Sequence, residues 1–138
     1  MTAPLTLTDS GQHKLWRLIL IGLAGLVGTL GRYALSGYVA RRFGETFPTG
    51  TLVVNIVGCL LAGFLFFLLQ ERFLVSEVVR TTLLIGLLGG FTTFSSFGLQ
   101  TFTLLREGEI ALATVNMLAS NLLGLFAVWV GYTLGKLV

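Results

Sequence analysis

Of 138 residues, 54% are hydrophobic and only 11% charged, where a soluble domain carries about a quarter charged; mean hydropathy is +0.90. The formal net charge of +3 comes from nine basic and six acidic residues, which stand almost entirely at the ends of uncharged runs. This excludes a soluble globular domain, and a nucleic-acid partner is not expected. The chain reads as one all-α membrane domain over residues 1–138, with the lipid bilayer as its solvent.

Residues 1–14 are polar and contain Pro4; they are expected to form a mobile N-terminal segment. The first apolar run covers 18–40 and is interrupted only by Arg32. His13, Lys14 and Arg17 precede it in the manner of a signal peptide. The run is longer than the 7–15 residues or so of a signal h-region and three more follow, so it is read as a retained span. The others cover 51–70, 81–105 and 110–135, each near the 20 or so residues that cross a bilayer core. Cys59, the single cysteine, lies inside span 2 as a small buried residue and implies neither a disulfide nor a metal site.

With four spans and short loops, Lys14, Arg17, Arg72, Arg80 and Lys136 share one side of the membrane. Arg32, Arg41, Arg42 and Arg106 share the other. Orientation follows the Lys/Arg bias near span ends, and five against four is almost no bias. The balance suits a small protein that inserts both ways and pairs with an inverted copy of itself; orientation set by some feature other than charge is the alternative. Four helices of this size leave little interior for a hydrophilic path, which also favours an oligomer. Gly22, Gly25, Gly28 and Gly31 in span 1, and Gly58, Ala62 and Gly63 in span 2, have close-packing spacing. Contacts within one protomer and contacts between protomers both satisfy that pattern.

No Asp, Glu, Lys or His stands in a span interior. Proton-coupled transporters usually carry one, and there is no acid/base pair for an enzyme. Neutral polar groups remain. Thr51 and Asn55 lie at i and i+4 on one face of span 2. Asn116, Ser120 and Gly124 continue such a stripe in span 4, with Asn121 off the line and read as an interhelical hydrogen bond. Span 3 supplies Thr92, Thr93, Ser95 and Ser96. Singly, each is a residue that bridges two helices; together they outline a polar pathway. Arg32 is either a snorkelling side chain or an anion-attracting group in a vestibule. Asn and Ser/Thr offer donors and aromatic edges are positive, so the path favours a small anion.

The stretch "GLLGGFTTFSSFGLQTF" at 86–102 concentrates these features. Gly89-Gly90 are expected to break the third helix, freeing carbonyls suited to a small cation. Phe94 and Phe97, at i and i+3, project from nearly one face beyond the break. A glycine-kinked packing helix with lipid-facing rings is the alternative.

"GLLGGFTTFSSF" and "GTLVVNIVG" resemble the third- and second-span signatures of the Fluc (CrcB) family of fluoride channels, with "GTLGRY" and "NMLASNLLG" in the right order. The resemblance runs from Leu18 to the C-terminus. It implies an antiparallel, dual-topology homodimer with two fluoride pores, each lined by both subunits. Phe94 and Phe97 match the ion-facing phenylalanines and Asn55 the pore asparagine. Ser95, Ser96, Thr51 and Ser120 match pore-lining or pore-adjacent positions, and Arg32 a vestibule arginine. Gly89 and Thr92 match positions whose backbone carbonyls, from both subunits, hold a structural Na+. Span 4 departs from the pattern: Asn116 stands where the family carries Tyr, and Gly124 where it carries Ser. Asn116 is retained as a pore donor.

The implied activity is passive fluoride export across a bacterial inner membrane, giving fluoride resistance. Fluoride enters as its neutral acid, ionises and is trapped, and an open route lets it leave. A small dual-topology multidrug exporter is the alternative, but lacks here its first-span glutamate. A non-transporting assembly subunit leaves the Phe/Ser/Thr pattern unexplained.

Overall fold

The computed structural model describes residues 8–138, with side chains from Gly11 onward. Helix α1 (Thr8–Phe43) has 36 residues, so at about 1.5 Å per residue it outruns a bilayer core of about 30 Å. Residues 8–14 are thus helical, and the remainder of the segment expected to be mobile lies outside the described residues. Gly44 ends α1 with a φ of +83°, its N–H reaching Ala40 O at 2.9 Å. Arg41 and Arg42 in the last turn complement the helix dipole.

Helix α2 (Thr49–Phe67) follows Pro48 and continues as a π turn over Leu68–Arg72. The third span is composite. Helix α3 (Glu77–Thr81) starts at Ser76, whose hydroxyl accepts from Val79 N. It runs through a π turn (Thr82–Leu87) into α4 (Leu88–Phe91), and α5 (Phe94–Arg106) completes the span. Gly108, with a φ of +82°, turns the chain into α6 (Ile110–Gly135). Among the described residues, four helical spans are long and apolar enough to cross a membrane.

Close backbone approach organises these helices, as it does where lipid removes the usual hydrophobic drive. A Cβ at Gly63 would collide with the Val128 carbonyl of α6, and one at Gly131 with the Leu60 carbonyl of α2. That reciprocal contact seats α2 against α6. Gly28 does the same for α1 against Leu87 and Phe91, and Gly90 against the Gly25 carbonyl. Gly58 makes room for the Thr92 methyl group. These glycines are therefore used up within one protomer, whereas Gly22 has nothing within 4 Å.

The interruption expected at Gly89-Gly90 falls elsewhere. Both glycines are helical in α4, and the extended residues are Thr92 (φ −84°, ψ 160°) and Thr93 (φ −150°, ψ 117°). Gly90 serves close approach to α1, a steric role that resembles a hinge in sequence.

Candidate functional site

Extending two residues in mid-membrane leaves backbone groups that must find partners or line a cavity. Asn55 of α2 supplies two of them. Its Oδ1 accepts from Thr93 N at 2.9 Å and its Nδ2 donates to Thr93 O at 3.0 Å. Only one orientation of the amide satisfies both, which fixes its donor and acceptor ends. The Thr93 hydroxyl caps α5 by accepting from Ser96 N at 3.2 Å, so Thr93 is held through all three of its polar groups.

The carbonyls before the break divide into two sets. Gly90 O accepts from Arg32 Nε at 3.2 Å and from Thr29 Oγ1 at 3.5 Å. Leu88 O accepts from Thr92 N and from Thr92 Oγ1, both at 2.9 Å. Gly89 O, by contrast, loses its helical partner, because the Thr93 N–H donates to Asn55. Thr92 O is in the same position, since the Ser96 N–H goes to the Thr93 hydroxyl.

Two clefts meet at this point, and Thr93 lines both. A polar vestibule of ≈ 440 Å³ lies towards the 44–48 loop, lined by Arg32, Thr49, Thr51, Ser96 and Gln100 among others. On the other side of Thr93 an apolar cleft of ≈ 510 Å³ is lined by Asn55, Gly89, Thr92, Phe94, Phe97 and Ser120 among others. The Phe94 and Phe97 rings lie 5.4 Å apart, tilted by 46°. Phe97 is only 9% exposed and anchors the pair, whereas Phe94 is 80% exposed and stands out from the protomer. Ser120 Oγ is buried with no hydrogen-bond partner, leaving its O–H available to an occupant of the cleft.

Comparison with known proteins shows the family of the chain. The family model of the CrcB-like proteins (Camphor Resistance, CrcB) matches residues 19–132, which reach into all four spans. The chain belongs to the CrcB family. A relative from Desulforapulum autotrophicum is 48% identical over 92% of this chain and 99% of its own. One from Opitutus terrae is 51% identical over 83% of this chain and 88% of its own. One from Aquifex aeolicus is 43% identical over 84% and 94%. Each of these relatives is named a fluoride-specific ion channel, FluC. The four spans of this CrcB protein are those of a multi-pass membrane protein.

Most residues singled out from the sequence converge on the two clefts, and two do not. Ser95 is exposed and lines neither, its hydroxyl 3.3 Å from that of Thr93. Asn116 is 2% exposed and lines neither; its Nδ2 donates to Thr101 Oγ1 at 2.8 Å, tying α6 to α5. The interhelical bond expected of Asn121 is thus made by Asn116. Asn121 instead lines the apolar cleft and bonds back to Met117 O of its own helix at 2.7 Å. Gln100 and Thr49 of the CrcB vestibule were not expected from the sequence. Gln100 lies four residues beyond Ser96, so helical spacing would have found it.

Proposed function

We propose that this protein is a fluoride channel that lets the ion leave a bacterial cytoplasm passively across the inner membrane. The observation that carries the reading is the Asn55–Thr93 clamp, which keeps the third span interrupted where the polar vestibule meets the phenylalanine-walled cleft. The relatives' names supply the ion; the geometry supplies a route suited to it.

The vestibule is lined by one cation, Arg32, and one carboxylate, Glu45; Arg32, bonded to the Gly90 carbonyl beside the break, is the charge that draws an anion inward. Among the described residues no cation lines the cleft past Thr93, so the ion is not trapped by a deep charge. Its water is replaced by neutral donors and by the positive edges of Phe94 and Phe97. The Ser120 hydroxyl has a proton to offer at that depth. Phe94, exposed and packed on the Phe97 ring, is placed to follow a passing ion.

The apolar cleft is open on one side in a single protomer, with Phe94 and Gly89 exposed there. A second copy would close it. The near balance of basic residues at the two ends supports an inverted copy, giving an antiparallel homodimer with two pores. The Gly89 and Thr92 carbonyls fit a structural Na+: both lack their helical N–H, both line this cleft, and neutral oxygens suit a hard cation. Two such pairs, one from each subunit, would hold it at the interface. Replacing sodium by N-methylglucamine is expected to weaken the dimer, and unchanged dimer stability would remove the ion from the proposal.

Purified protein in potassium-loaded liposomes with valinomycin should release fluoride rapidly and chloride hardly at all. Equal chloride efflux, or no efflux of either ion, would overturn the reading.

A further inference from the structure

A third cavity takes no part in the ion route. It is a groove of ≈ 200 Å³ where α1 meets the start of the third span, lined by Lys14, Arg17, Leu18, Ile21, Glu77 and Thr82 among others. Leu18 and Ile21 give it an apolar wall, and Lys14, Arg17 and Glu77 a charged rim. Glu77 is the first residue of the third span, and Lys14 and Arg17 stand one turn apart just before the apolar run of α1. The groove therefore sits where headgroups give way to acyl chains.

Its polar groups are under-used. Arg17 Nη2 reaches Glu77 Oε2 at 3.4 Å through one contact only, and the two side chains are 46% and 67% exposed. Lys14 has no ion pair among the described residues. Thr82 Oγ is buried without a hydrogen-bond partner. Two cations and one carboxylate leave the groove one positive charge in excess.

We infer that this groove binds a phospholipid whose headgroup carries one net negative charge on its phosphodiester, as phosphatidylglycerol does. Basic pockets between transmembrane helices are the usual seats of anionic headgroups. The phosphodiester neutralises the excess charge, lying between Lys14 and the outer face of Arg17. A headgroup hydroxyl satisfies Thr82, and the acyl chains follow the exposed Leu15, Leu18 and Ile19 of α1. A zwitterionic headgroup fits less well: it leaves the excess charge in place, and its cation would compete with Arg17 for Glu77. The bound lipid bridges α1 to α3, at the end of the span opposite the Thr92–Thr93 interruption.

The test is native mass spectrometry of the protein released from micelles containing phosphatidylglycerol, phosphatidylethanolamine and phosphatidylcholine of matched chains. Wild type is expected to retain phosphatidylglycerol selectively. Each basic side chain near a lipid surface contributes about fivefold, so Lys14→Gln with Arg17→Gln should lower that retention about 25-fold. Arg41→Gln with Arg42→Gln removes the same charge at the other end of α1 and should leave it unchanged. Lys14→Arg with Arg17→Lys should keep it, which separates charge from misfolding. Equal retention of the three lipids, an unaffected Lys14/Arg17 double variant, or the same loss in the Arg41/Arg42 control would overturn the assignment. So would loss in the charge-conserving variant, or displacement by glycerol phosphate, which would make the ligand a free phosphate ester.

Discussion

Asn55→Asp is the sharpest perturbation of the clamp, because it changes one atom and leaves the shape intact. The carboxylate can still accept from Thr93 N, now at 2.9 Å. Facing Thr93 O at 3.0 Å, however, the Nδ2 donor becomes a second acceptor. One hydrogen bond is lost and two oxygens oppose each other, which costs about 1–3 kcal/mol in this half-buried setting. The second effect acts on the ion. A full negative charge about 6 Å from a passing anion, at an effective dielectric of about 20, repels it by about 3 kcal/mol. At about 1.4 kcal/mol per decade, fluoride flux should fall about 100-fold. Asn55→Ala removes the clamp without adding charge, so its loss of flux reports the clamp alone. Both variants are assayed by a fluoride electrode in valinomycin-driven liposome efflux, with size exclusion to check the oligomer. Flux by Asn55→Asp within about threefold of wild type, in a protein of unchanged size, would refute the reasoning.

Phe94→Ile should reduce flux by about tenfold or more while assembly persists, since the ring edge is lost but the side chain is 80% exposed in the protomer; unchanged efflux would take the ring out of the ion path. Asn116→Leu should lower thermal stability in detergent by about 1 kcal/mol, the size of one hydrogen bond, with little change in flux, because Thr101 Oγ1 still donates to Phe97 O at 2.8 Å. A large flux defect there would return Asn116 to the pore. Gly131→Ala should destabilise the protein by about 1–3 kcal/mol through overpacking, because the Leu60 backbone cannot give way. Gly22→Ala, with open space around it, serves as the neutral control in the same melting experiment.

The number of spans and their apolar cores were legible from the chain, because bilayer thickness sets a minimum length for every uncharged run. The residues 18–40, 51–70, 81–105 and 110–135 all fall inside the observed spans. The site was legible in kind, since hydroxyl, amide and aromatic groups are conspicuous where every other residue is apolar. Their partners were not. Asn116 and Asn121 lie five positions apart, which at 3.6 residues per turn puts them about 140° apart around α6. Which of them faces α5 depends on how α6 rolls on α2 at the Gly63–Gly131 contact.

The amino-acid sequence by itself determined that this is a four-span membrane protein of the CrcB family, with neutral polar residues and no Asp, Glu, Lys or His in the span interiors. Those properties follow from composition and local order, which need no contact between distant residues. Tertiary structure alone decided where the third span opens. Glycine at 89 and 90 permits a break, but helix α1 closes on Gly90 and keeps that turn wound. The break moves on to Thr93, where an asparagine thirty-eight residues away can pair with both of its backbone groups. A backbone leaves its helix in lipid only where replacement partners already stand, and that is a property of packing.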